Sequence, residues 1–224
     1  MRFLIKEYIR KLRVFNKFGV IKKIYGNTAP NPVEIDTLPG DNFLIIAPHP
    51  DDEAIGCAGL TLLLKKQNKN VCHFYNKIPD ERRKTEALEY NKTLGTQSVF
   101  VRNYFRDELK QHIGSVKIDA VLLPSFIDNH REHFGVCEDL YYLLKTGRAP
   151  EFKIIMYEVW TPVQPNVIVD ITGIIDRKIE LLKIYKSQLA NKNYIHSVIG
   201  FNAYRALLLK RKPPVNLLYA ESFV

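Results

Sequence analysis

No stretch of this 224-residue chain reaches 18 residues without a charged side chain, so a membrane-spanning helix is not expected. Cysteine is scarce. Cys57, Cys72 and Cys137 are too few, and odd in number, for a disulfide framework, which makes a reducing, cytoplasmic setting the simpler expectation. The N-terminal stretch is broken by charge every few residues and has no small-residue cleavage site, so it does not read as a secretory signal. Internal repeats and low-complexity tracts are also missing. What remains, with 46% hydrophobic and 11% aromatic residues, is enough to build one sizeable core.

Acidic residues are nearly absent from one place only. Residues 1–23 hold eight Lys/Arg against one Glu, and taking this +7 from the total of +9 leaves +2 for the rest. A basic surface spread over the body is therefore not expected, and no nucleic-acid partner with it. Over residues 1–25, Leu4, Ile5, Tyr8, Ile9, Leu12 and Phe15 share one helical face and Arg2, Lys6, Arg10, Arg13 and Lys17 the opposite one. This pattern predicts a basic amphipathic helix. Two readings stand open: the helix docks on the body, or residues 1–23 make peripheral contact with an anionic membrane. Residues 26–41, rich in Gly, Pro, Asn and Thr, read as a connector. The main domain is expected over 42–224.

Short apolar runs then alternate with helical patterns. Strands are expected at 43–48, 71–76, 98–103, 119–126, 153–160 and 166–172. Helices are expected at 53–67, 80–94, 107–115, 174–189 and 194–210. Nearly continuous apolar strands fit a parallel sheet covered on both faces. The alternation predicts a Rossmann-like layered α/β fold with a mostly parallel sheet, whose ligands sit beyond the carboxyl ends of the strands.

Two of those ends carry unusual polar clusters. The first strand runs into His49-Pro50-Asp51-Asp52-Glu53, and the fourth into Asp128-Asn129-His130-Arg131-Glu132-His133. A parallel sheet brings both to one edge. A catalytic zinc takes three His, Asp or Glu ligands and keeps an open position for water. His49 and Asp52 can supply two ligands; His130 and His133 can supply the third and a spare imidazole. Zinc lowers the pKa of water to about 7, and a carboxylate outside the ligand set can act as base. The competing reading is that Asp51 or Asp52 caps the helix that follows. Cys137, four residues beyond His133, reads as core. His73, His112 and His196 have no partner pattern.

These motifs resemble the LmbE/PIG-L-type zinc-dependent N-deacetylases. The resemblance rests on Ala47-Pro48-His49-Pro50-Asp51-Asp52-Glu53 with Gly56-Cys57-Ala58-Gly59, and on the second cluster, where Glu132 replaces the usual Asp. Further matches are Arg83-Lys84-Thr85-Glu86, Tyr157-Glu158, Val169-Asp170-Ile171-Thr172, Lys178, Ser187-Gln188 and Ala220-Glu221-Ser222-Phe223. It covers roughly residues 42–224. It implies that His49, Asp52 and His133 hold Zn2+, that Asp51 is the general base, and that His130 steadies the oxyanion, oriented by Glu132. Arg83 becomes the candidate for gripping substrate, with Arg82 adjacent; Glu53 is assigned to helix support. The implied activity is removal of acetyl from an N-acetylated amino sugar: a GlcNAc-type glycoside, a sugar nucleotide or a lipid-linked glycan. Another amide or ester as substrate of the same scaffold, or an inactive sugar-binding module, are the alternatives.

Overall fold

The computed structural model describes residues 32–147, 150–190, 193–210 and 218–224. The basic helix read over 1–25, with its membrane-facing alternative, and the first part of the connector lie outside the described residues.

The expected alternation is present. Strand β1 (Val33–Ile35) is followed by β2 (Asn42–Ala47), α1 (Asp52–Lys66), β3 (Asn70–Tyr75), α2 (Glu81–Leu94), β4 (Gln97–Phe100) and α3 (Phe105–Ser115). Then come β5 (Ala120–Pro124), α4 (Arg131–Lys145), β6 (Lys153–Tyr157), β7 (Val167–Asp170), α5 (Ile175–Leu182), α6 (Lys186–Leu189), α7 (Tyr194–Arg205) and β8 (Ala220–Phe223). One eight-stranded sheet runs β1-β7-β8-β6-β5-β2-β3-β4. All its pairings are parallel except those of β8 with β6 and β7.

The apolar run in β2 has a direct cause. Leu44, Ile45, Ile46 and Ala47 are all fully buried because both faces of the strand are covered. Ile45 points into a core with Leu60, Leu64, Leu122, Tyr157 and Val169. Leu44 and Ile46 point the other way, among Phe74, Leu109, Val121, Val136 and Leu140. A strand with two buried faces loses its polar alternation and reads as continuous hydrophobicity.

Several elements depart from the sequence expectation. Within the connector, Val33–Ile35 forms an edge strand on Val167–Val169. The region expected as one helix over 174–189 is broken between α5 and α6, where the Tyr185 backbone leaves helical geometry and its side chain turns into the core. α4 was not expected as an element, although Val136, Leu140 and Leu143 line its buried face. β8 is a short strand that buries Glu221 and Ser222 beside Phe223.

β2 sits at the topological switch. The chain leaves it toward β3 and β4 on one side, while β5 and β6 lie on the other. Open α/β sheets have their ligand crevice at this point. The loops after β2 and β5 are therefore neighbours, and they carry the two polar clusters. The start of α1 is pressed against β6: a Cβ on Gly56 would come within 2.2 Å of the Tyr157 ring. The Tyr157 hydroxyl in turn donates to the Ile46 carbonyl at 2.8 Å.

Candidate metal centre

The first half of the site is the turn from β2 into α1. Asp51, the residue before the helix, has φ 125° and ψ −29°. A non-glycine side chain pays roughly 1–3 kcal/mol for such backbone and keeps it only where the surroundings enforce it. The Asp51 carbonyl accepts from the Ala54 and Ile55 amides at 3.0 and 2.9 Å. Its carboxylate makes no capping bond, so the cap reading fails for Asp51. Asp52 Oδ2 accepts the His49 backbone N–H at 2.8 Å, which ties the turn closed across three residues.

The second half is the loop after β5. Asp128 is buried and shapes it, accepting the His130 amide at 3.0 Å on one oxygen and the Trp160 amide at 2.9 Å on the other. His130 precedes α4, and His133 lies in its first turn with no exposed surface.

The halves meet on Asp52. Its Oδ2 is 3.3 Å from His49 Nδ1 and 3.2 Å from His133 Nε2. Neither ring nitrogen of His133 makes an aligned hydrogen bond, although both are buried. Two ligand-type atoms that face each other without hydrogen-bond alignment fit convergence on a third centre. Zinc bonds to N and O of about 2.0–2.1 Å, opened to a tetrahedral angle, place ligand atoms about 3.3 Å apart. His49, Asp52 and His133 therefore fit zinc. His130 is close as well: ligand atoms of His49, His130 and His133 all lie within 4.8 Å of one another. The other nitrogen of His133, Nδ1, stands 3.4 Å from Asp128 Oδ2, the position of a carboxylate supporting a ligating imidazole.

The electrostatics divide the carboxylates. Burial raises Asp51 well above the usual carboxylate range, and the neighbouring Asp52 adds to this against the pull of Arg83. Burial also pushes Asp52 up, but His133 and His49 outweigh it and hold Asp52 below the usual range. For His133 burial acts downward, and the Asp128 and Asp52 carboxylates overcome it, lifting the ring to about 9. His130 is lowered by burial and by its two histidine neighbours. Glu53, wholly buried, is pushed up to about 7 by that burial.

A cleft of about 460 Å³ opens over these groups, lined by His49, Asp51, Asp52, Arg83, Asn129, His130, Trp160, Gln188 and Tyr194. Arg83 is the arginine that reaches it. Its Nη2 donates to the Pro50 carbonyl at 2.6 Å and to Asp51 Oδ1 at 3.0 Å. Arg82 is on the outer side of α2, 65% exposed, beside Glu86. Glu132 Oε2 is 3.2 Å from His130 Nδ1, and Oε1 is 3.2 Å from Lys77 Nζ. Trp160 forms the far wall with Tyr194, their rings 5.6 Å apart. Its loop is anchored where Arg205 pairs with Glu158 and donates to the Val163 carbonyl.

All seven sequence-predicted site residues thus lie in or beside one site. Asp128, beside His133, and Asn129, Trp160 and Tyr194, in the cleft wall, were not among the site residues expected from sequence. Asp128 stands inside the quoted second motif, two residues before His130, and that spacing was its available signal. Trp160 and Tyr194 have none, being brought in by β6 and α7. Of the histidines without a pattern, His73 is buried against Asn91 at 2.8 Å, and Cys137 packs in the core with its thiol on the Pro124 carbonyl.

No protein-family model and no curated protein matches the chain. Solved structures do. N,N'-diacetylchitobiose deacetylase from Pyrococcus horikoshii superposes with a TM-score of 0.66 at 20% identity, over 95% of this chain and 91% of that one. The A40926 pseudoaglycone deacetylase Dbv21 gives 0.60 at 13% identity, over 82% and 97%. The 4-carboxy-2-hydroxymuconate hydratase GalB from Pseudomonas putida KT2440 gives 0.67 at 16% identity, over 82% and 95%. At these identities the likeness is one of fold, and the chain has the layered α/β fold that these deacetylases and this hydratase share.

Proposed function

We propose that this chain is a zinc-dependent N-deacetylase of the LmbE/PIG-L type, acting on an N-acetylated amino sugar. The observation that carries this reading is the convergence of His49 Nδ1 and His133 Nε2 on Asp52 Oδ2, with a second carboxylate, Asp51, beside them in the cleft. The sequence signature and the two deacetylases of the same fold support the choice of reaction.

Zinc held by His49, Asp52 and His133 supplies Lewis acidity and a nucleophile at neutral pH. The remaining work falls to the chain. Asp51 is the general base. Burial raises its pKa and so its basicity, and Arg83 fixes its carboxylate. His130 lines the cleft beside the ligands, where it steadies the oxyanion as the amide carbonyl becomes tetrahedral. Glu132 orients His130, its extra methylene letting it reach both that ring and Lys77. Trp160 and Tyr194, their rings tilted 58° to each other, offer aromatic faces against which a sugar ring can stack. An apolar pocket of about 360 Å³ shares these two aromatics and continues along Ile55, Val159, Pro162, Val198 and Phe201. It supports a glycoside with an apolar portion over a free sugar.

The test is metal analysis together with acetate release from N-acetylglucosamine, its alkyl and aryl glycosides and its nucleotide conjugates. Stoichiometric zinc and acetate release from one of these classes are expected. The hydratase of the same fold supplies the second reading, addition of water across a carbon–carbon double bond. Zinc-loaded protein that releases no acetate but hydrates an unsaturated carboxylate would replace the first reading with the second.

A further inference from the structure

Glu53 is the buried acid at the site to which none of the roles above gives a chemical task, and its surroundings are unusual. It is wholly buried, directly beneath the Asp51 turn. Oε2 accepts the backbone N–H of Asp51 at 3.2 Å. Oε1 accepts from two hydroxyls, Tyr75 at 3.1 Å and Tyr185. Tyr75 is itself fixed by Asn91, whose Nδ2 donates to its oxygen at 2.9 Å and to the Ala87 carbonyl at 2.7 Å. One carboxylate thus joins β3, α2 and the bend after α5 to the peptide that enters Asp51.

That peptide is the strained one. Asp51 has φ 125°, and such backbone persists only when held from more than one side. Arg83 holds it from the cleft, through the Pro50 carbonyl and the Asp51 side chain. Glu53 holds it from the core. The torsion φ lies between that peptide and the Cα that carries the Asp51 side chain, so it sets where the carboxylate is aimed.

We infer that Glu53 is a positioning residue for Asp51: its buried carboxylate, anchored by Tyr75 and Tyr185, fixes the backbone that aims the Asp51 carboxylate into the metal site. This rests on the deacetylase reading for Asp51's role, but the geometric part is separable. Glutamine at position 53 keeps the volume. It has a single acceptor oxygen, so the Asp51 amide on one side and the tyrosine hydroxyls on the other can no longer all donate to the side chain, and one side meets the amide nitrogen instead.

The experiment is a double-mutant cycle on the full, zinc-loaded chain with Glu53→Gln and Asp51→Asn. Zinc stoichiometry, kcat, KM and a crystal structure are read for each protein. Glu53→Gln is expected to keep zinc and KM and to lose about tenfold or more in kcat, because part of the general-base contribution goes. In the Asp51→Asn background the same change is expected to cost less than about twofold, since groups acting as a unit are not additive. Equal losses in both backgrounds, or loss of zinc from Glu53→Gln, overturn the inference. The structural readout stands apart from activity. Asp51 should leave positive φ in Glu53→Ala, or in Glu53→Gln if the alanine variant does not fold; a φ that stays near 125° overturns the inference. A parent that binds zinc and releases no acetate refutes the deacetylase reading and leaves the φ result to decide this one.

Discussion

If zinc is held as proposed, the charge on His133 makes a quantitative demand on its binding. A histidine must be neutral to ligate, and this one, flanked by Asp52 and Asp128, is lifted from 6.5 to about 9. The sign follows directly. Below that pKa the ring carries a proton that zinc must displace, so apparent affinity falls as pH falls, by about tenfold per unit. From pH 8 to pH 6 the loss from this group alone is about 100-fold, against about fourfold for a histidine with an unperturbed pKa near 6.5. Asp52 is held below the usual carboxylate range, is already ionised, and adds no slope. Binding at pH 7 should release about one proton from His133. Competition with a chromophoric chelator at several pH values gives the slope. Calorimetry in buffers of different ionisation enthalpy gives the proton count. Asp128→Asn removes one of the two carboxylates and should flatten the slope while weakening zinc about 10- to 100-fold at high pH. An apparent affinity that does not change between pH 7 and pH 8 in the parent would refute the reasoning, because the two carboxylates would then not be holding a proton on this ring.

Other outcomes follow from the same contacts. Asp51→Asn should keep stoichiometric zinc and lose about 100-fold or more in kcat, read by acetate release and metal analysis; loss of zinc would make Asp51 a ligand. His133→Ala should lose the metal, whereas His130→Ala should keep it and lower kcat. Zinc lost from both variants would place His130 in the ligand set with His49 and His133. The buried pair of Lys178 and Glu221, 2.7 Å apart, holds a break in α1, where Cys57 leaves helical geometry and the Gly59 and Leu60 amides turn to Glu221 at 2.8 Å each. Lys178→Met should cost about 3–5 kcal/mol in denaturant unfolding, since it leaves a buried carboxylate uncompensated. The metal-free protein should lose stability as pH rises from 7 to 9. The raised pKa of His133, about 9, favours folding while the ring is protonated, and that contribution is lost as pH passes through it; His73, His112 and His130, all lowered, act in the opposite sense only below their ordinary value of 6.5. Thermal melts in chelator would show it, and a melting temperature that climbs over this range would contradict it.

How far the sequence could be read depended on how each feature is made. Leu44–Ala47 announced itself because a strand covered on both faces cannot hide its composition, and the same holds for Ala120–Pro124. The meeting of the two polar clusters was legible because spacing in sequence is nearly spacing in space: His49 and Asp52 close one turn, and His130 and His133 lie at the first turn of one helix. Their meeting needed only parallel strands side by side. β1 and β8 were not legible, as Val33–Ile35 is three residues in a Pro- and Gly-rich stretch. Ala220–Phe223 buries a glutamate that Lys178 and the Gly59 and Leu60 amides of the broken helix α1 make tolerable, beside a buried serine whose hydroxyl has no partner among the described residues. The choice between Arg82 and Arg83 turned on the phase of α2, which one residue of error reverses.

Glu53 shows where such reading stops. In sequence it is the last letter of His-Pro-Asp-Asp-Glu, and a glutamate in the first turn of a helix has a sufficient local explanation in the helix dipole. That explanation needs an exposed or half-exposed side chain. Here the carboxylate has no exposed surface and spends its two oxygens on a backbone amide and two tyrosines that are 22 and 132 residues away. A buried acid with that many donors is arranged for something other than helix stability, because an alanine would serve the helix without the cost of desolvating a carboxylate. The one unusual backbone it touches is that of Asp51. The strain, the burial and the tyrosines become a single arrangement once the Asp51 carboxylate has to be aimed, and aiming is the part of such a motif that its letters do not carry.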